Sequence, residues 1–226
     1  MTTDPLDLTA VIARVRAALM DDGTIFTDAV LTEALRAALD EYAEAAPAAT
    51  ETVITLPGDG REIALDALAG LISVVRVWWP YDSASGDDWP PNAVAGFTLW
   101  WDDARPVLFL DARDGATPAA GDELRLWYTR AHTVQGLSDA SVTTVPATDL
   151  SLLVMGATGF ALLARSYDQT EVAATGAIAT PNYAAAGFRL LRQFRLALNA
   201  RRHDATRPAG PPWGGGWERT RPATEV

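Results

Sequence analysis

The side chains best suited to proton transfer or metal ligation at neutral pH are two histidines, His132 and His203, which stand 71 positions apart. Neither has a second histidine or a carboxylate at ligand spacing, so no metal site is expected. His132 reads as a turn or strand-edge residue, and His203 falls where a last helix frays. There is no Cys, which excludes disulfides, thiol nucleophiles and Cys-ligated metals. All 18 basic residues are Arg, so Schiff-base chemistry and a phosphate-binding loop lysine are excluded too. The acidic pairs Asp21-Asp22, Asp87-Asp88 and Asp102-Asp103 each sit in a turn-like stretch, and adjacent residues rarely face one another. No EF-hand spacing surrounds them. Gly136-Leu137-Ser138-Asp139-Ala140 lacks the second Gly of a nucleophile elbow. No dinucleotide or nucleotide-phosphate fingerprint is present. The residues point away from an enzyme, and no cofactor is expected.

Indoles are the more informative group. Trp78-Trp79 and Trp100-Trp101 each put one ring on either side of a strand. Such rings can be core, a protein interface or a sugar platform. Trp213 and Trp217 stand in a Pro/Gly segment with no core of its own, where an aromatic reads as an anchor that orders on binding.

These residues must be positioned by elements that the hydrophobic period reveals. Leu8, Val11, Ile12, Val15 and Leu19 repeat at helical spacing over residues 6–20. Thr27 then N-caps a second helix, striped by Leu31, Ala34, Leu35, Ala38, Leu39 and Tyr42 and ending before Pro47. The middle changes period. Residues 51–56, 62–65, 71–79, 97–101, 106–110 and 123–130 read as strands of one small, mostly antiparallel sheet. Asp102-Asp103-Ala104-Arg105 suits a hairpin. In the last strand, Leu124, Leu126 and Tyr128 face one way and Arg125 and Trp127 the other. From Asp149 to Arg165 a helix is apolar nearly all round, with Gly156 and Gly159 inside it, so it needs burial on several sides. The longest apolar run, Leu152 to Ala164, is short for a membrane span. A polar loop over 167–182 precedes a final helix from Tyr183 to Arg202, with Leu190, Leu191, Phe194, Ala197 and Leu198 on one face. The expected fold is α+β: a bundle of about four helices with an inserted small antiparallel β-sheet domain and a flexible C-terminal arm. The divisions are residues 1–50, 51–135, 136–203 and 204–226.

Charge is segregated along this plan. The chain carries a net −11 and a pI near 4.5. Residues 1–188 hold 10 Arg and 26 acids, a balance of −16, whereas residues 189–226 hold 8 Arg and 3 acids, a balance of +5. An acidic body repels nucleic-acid phosphates, and a basic tail suits an acidic partner. The first residues, MTTDPLDL, have no basic region and do not read as a signal peptide, so a cytoplasmic origin is expected.

Three stretches resemble the head–tail connector (adaptor) proteins of tailed bacteriophages and prophages. The first runs from Phe26-Thr27-Asp28 through Ala37-Ala38-Leu39-Asp40-Glu41-Tyr42 to Pro47. The second is Ile72-Ser73-Val74-Val75-Arg76-Val77 into Trp79-Pro80-Tyr81 and Trp89-Pro90. The third is Leu126-Trp127-Tyr128-Thr129-Arg130-Ala131-His132, then Thr144-Val145-Pro146, then the apolar helix from Leu150. The order and spacing carry the resemblance over roughly residues 5–200.

The resemblance implies a structural virion protein of the neck. Such a protein forms a ring, typically of twelve copies, between the portal protein and a stopper or tail-completion protein. DNA passes through the ring without specific binding, and no enzyme activity or membrane is involved. On this reading Arg201, Arg202, Arg207, Trp213 and Trp217 dock on the portal. Leu152, Met155, Gly156, Gly159 and Trp127 are expected at the contact between subunits. The alternatives are a stopper or tail-completion protein and, more distantly, a Trp-rich carbohydrate-binding module.

Overall fold

The computed structural model describes residues 7–84, 96–111, 116–173 and 182–206, and side chains within these except at 168–173 and 203–206. It has the expected α+β architecture, with helices α1 (Leu8–Leu19), α2 (Asp28–Ala45), α3 (Leu150–Ala173) and α4 (Tyr183–Thr206). Between α2 and α3 the described residues form six strands: β1 (Ala48–Thr55), β2 (Glu62–Ala64), β3 (Leu71–Tyr81), β4 (Gly96–Asp102), β5 (Arg105–Asp111) and β6 (Glu123–Arg130).

Each helix starts where local chemistry dictates. The Asp7 carboxylate accepts the Ala10 N–H (2.8 Å) at the N-cap of α1, and the Thr27 hydroxyl accepts the Val30 N–H (3.4 Å) at that of α2. Arg16 joins the two. It donates to Asp21 (2.9 Å), to the Phe26 carbonyl (2.9 Å) and to Asp28 (2.6 Å), so the end of α1 is fixed to the start of α2. The helical core gathers Val11 and Val15 of α1, Leu31, Leu35 and Tyr42 of α2, Leu153, Ala157 and Ala161 of α3, and Leu191, Phe194 and Leu198 of α4. The stretch Ala147–Tyr167 is long and apolar enough to cross a membrane, which the apolar run read from sequence is not. Here its buried residues are covered by the other helices instead.

The strands do not make one sheet. They form two three-stranded antiparallel sheets, ordered β1-β6-β3 and β2-β5-β4. The two share a second core, in which Leu124, Leu126, Tyr128 and Val77 of one sheet meet Ile63, Leu108 and Leu110 of the other. The alternation in β6 holds as expected, with Leu124, Leu126 and Tyr128 buried. The β4–β5 hairpin turns through Asp103 (φ 45°) and Ala104 (φ 68°) between paired Asp102 and Arg105. Two left-handed residues in a two-residue turn match the right-handed twist of the flanking strands.

Two boundaries differ from the sequence reading. The expected loop begins at residue 167, yet α3 continues to Ala173; the loop's centre, 174–181, lies outside the described residues. Helix α4 continues to Thr206, beyond the expected end near Arg202. Polar residues carry no hydrophobic period by which a helical turn could be read from sequence.

Candidate functional site

A cleft of about 500 Å³ opens where the helical and sheet cores meet. The C-terminal end of α2 supplies Tyr42, Ala46 and Pro47, and β1 supplies Ala48, Ala49 and Thr50. Arg130 ends β6, His132 and Thr144 follow it, and Pro146, Asp149 and Arg201 complete the wall.

Its deepest charged group is Asp149, 5% exposed in the 3-10 turn (Ala147–Asp149) that leads into α3. Its carboxylate accepts the Tyr42 hydroxyl at 2.6 Å and forms an ion pair with Arg201 of α4. Burial and the neighbouring carboxylate push the Tyr42 hydroxyl pKa up, so it stays a proton donor to Asp149. His132, 8% exposed, is not the edge residue the sequence implies. Its Nε2 lies 2.8 Å from the Ala46 carbonyl oxygen, which can only accept, so Nε2 carries the proton. Nδ1 then accepts from the Thr144 hydroxyl at 3.1 Å, and that oxygen accepts the Thr133 N–H at 2.8 Å. Burial lowers the His132 pKa below 6.5 despite the bonds to Ala46 and Thr144. Tyr42 and Asp149 are thus spent on each other and on Arg201, and His132 on the Ala46 carbonyl and the Thr144 hydroxyl. Among the described residues no three His, Asp or Glu side chains gather as a metal site would require.

The residues expected to dock on the portal separate. Arg201 is committed to Asp149, and Arg202 is exposed on α4. Arg207, Trp213 and Trp217 lie outside the described residues. The outer side of α4 exposes Arg189 and Arg192 together with Phe188 and Leu196, both 60% exposed. The helical period over 183–202 identifies the buried face of α4 but not these two apolar side chains. Their offset of eight residues, with Arg192 midway, is the signal that could have found them.

The residues expected between subunits also separate. Leu152 and Met155 are half-buried and line the helical core. Gly156 and Gly159 face α4 of the same chain: a β-carbon on Gly156 would lie 2.9 Å from the Phe194 ring, and one on Gly159 would lie 2.9 Å from Leu191. Trp127 packs on Trp78, ring centroids 4.4 Å apart, on the outer side of the first sheet. The Arg125 guanidinium lies over both, 4.8 Å from the Trp127 centroid and 5.4 Å from that of Trp78, and also pairs with Glu51 at 3.1 Å. Trp79 faces the sheet core and donates to Asp122 at 3.2 Å, and Trp100 is half-buried near Phe109. Trp101 is 52% exposed. Asp87-Asp88 and Trp89 lie outside the described residues.

No protein-family profile and no curated protein matches the chain. Solved structures with a similar chain include the neck of an empty GTA particle computed with C6 symmetry, at 22% identity and a TM-score of 0.32. The neck of a native GTA particle computed with C12 symmetry is similar at 20% identity and a TM-score of 0.30. A third is the virion of a native gene transfer agent (GTA) particle, at 21% identity and a TM-score of 0.31. Each alignment covers 85% of this chain and 92% of the other.

Proposed function

We propose that this chain is a structural neck protein, a head–tail adaptor that forms a ring under the portal and links it to a stopper or tail-completion protein. The observation that carries the reading is where the three resembling stretches fall. The first covers the capped start and body of α2, the second spans β3, and the third joins the end of β6 to the start of α3. They therefore sit at the two crossings between helical and sheet cores and on the strand bordering β6, where a scaffold is set.

The charge plan supports it. An acidic body facing a channel would leave DNA free to slide, because repulsion prevents sticking. Arg201, held by Asp149, ties the last turns of α4 to the start of α3. The docking itself falls to Arg202, Arg207, Trp213 and Trp217, through guanidinium–carboxylate forks and indoles in pockets. In the ring, the Phe188–Arg192–Leu196 side of α4 is available to the acidic body of a neighbouring copy. Deleting residues 207–226 tests the docking arm: portal binding is lost while the fold is kept. Unchanged portal affinity after that deletion would overturn it.

A stopper or tail-completion protein would use the same interaction logic and bind the tail tube instead of the portal. The carbohydrate-binding reading is disfavoured by Arg125, which occupies the ring faces of Trp78 and Trp127 that a sugar would need.

A further inference from the structure

We propose that the free edge of β1 and the adjoining cleft together receive an extended, acidic segment of another protein chain. The strand order β1-β6-β3 leaves β1 with one partner, β6, and among the described residues no strand pairs with its other side. This edge runs eight residues and holds neither Pro nor Lys, the usual guards against strand addition. Its lone charge, Glu51, is already paired with Arg125. Outward N–H and C=O groups of such an edge are the template on which an extended peptide adds as a strand.

The cleft at the beginning of this edge supplies the side-chain specificity. Ala48, Ala49 and Thr50 are small and leave room beside the backbone. Arg130, opposite Ala48 in the β1–β6 register, lines the same space. It is half-buried, its Nε is shielded from solvent, and among the described residues it has no hydrogen-bond acceptor or carboxylate partner. Three further half-buried arginines, Arg16, Arg36 and Arg125, each pair with a carboxylate. Within the cleft, Asp149 is matched by Arg201 and His132 is neutral, so Arg130 leaves one uncompensated positive charge in a chain of net −11. A carboxylate is the group that satisfies a guanidinium fork, and an extended segment brings it there while its backbone pairs with β1. The inference rests on this edge and cleft alone, so it stands or falls separately from the neck reading.

The test uses the full chain and a fluorescent, acetylated heptapeptide of alternating Val and Glu, followed by fluorescence anisotropy at low salt. The expected result is saturable binding that weakens by about tenfold or more in Arg130→Gln and partly recovers in Arg130→Lys. On the unaltered chain, replacing each peptide Glu by Gln weakens binding likewise, and N-methylation of alternate peptide amides removes it. These peptide arms keep the test valid if Arg130→Gln fails to fold. No saturable binding, or binding indifferent to the peptide's charge, overturns the proposal. Light scattering provides a further arm: a dimer of the free chain that depends on Arg130 would make a second copy the occupant and overturn the assignment to another protein.

Discussion

The ring of Phe194 lies where a side chain on Gly156 would begin, with three ring carbons within 3.0 Å of the would-be β-carbon. Phe194 is fully buried, so the ring cannot swing into solvent. Gly156→Ala therefore has two opposed effects. Helix propensity favours Ala by about 1 kcal/mol, while overpacking a filled core costs about 1–3 kcal/mol. The expected net result is destabilisation, larger for Gly156→Val, read as a lower denaturant midpoint at unchanged slope. Gly58→Ala, where nothing lies within 4 Å, is the neutral control.

The Tyr42–Asp149 bond gives a second prediction. Removing the hydroxyl in Tyr42→Phe leaves a buried carboxylate with one fewer donor. Hydrogen bonds to charged groups contribute about 1.5–3 kcal/mol, and Arg201 still pairs with Asp149, so a loss near the lower figure is expected in urea unfolding.

His132 sets a pH dependence whose sign is fixed by its burial. Its pKa in the fold lies below the ordinary 6.5, so below that pH the unfolded chain takes up a proton that the folded chain resists. His132's contribution to stability is full above about pH 6.5 and falls as pH drops from there toward the folded pKa. The expected observation is a melting temperature that declines on acidification from pH 7, with a shallower decline in His132→Gln. Equal slopes for the two proteins would contradict it.

Ala104 holds φ at 68° in the β4–β5 turn, a conformation that costs a non-glycine residue roughly 1–2 kcal/mol. Ala104→Gly removes most of that cost and loses some back in unfolded-chain entropy. A modest net gain, below about 1 kcal/mol, is expected in thermal or chemical unfolding.

What was legible in the sequence was local. The Thr27 cap, the alternation of Leu124, Leu126 and Tyr128, and the turn at residues 102–105 each depend on neighbours a few positions away. What was hidden depends on distant partners. The strands divide into two sheets because β1 pairs with β6 and β2 with β5, pairings that no turn signal encodes. The all-round apolar character of α3 calls for burial on several sides but does not say which elements supply it: α1, α2 and α4 pack on its buried residues, with α4 against its two glycines. The cleft was invisible for the same reason. Asp149 and Arg201 stand 52 positions apart, and His132 meets Ala46 from 86 positions away.

The central claim is that the chain forms a ring at one end of a portal. Electron microscopy of the chain mixed with the portal protein from the same genome, beside each alone, tests it most directly. The account predicts an added ring at one end of the portal in the mixture, lost when residues 207–226 are deleted. A competent portal that gains no density in the presence of the intact chain would contradict the account.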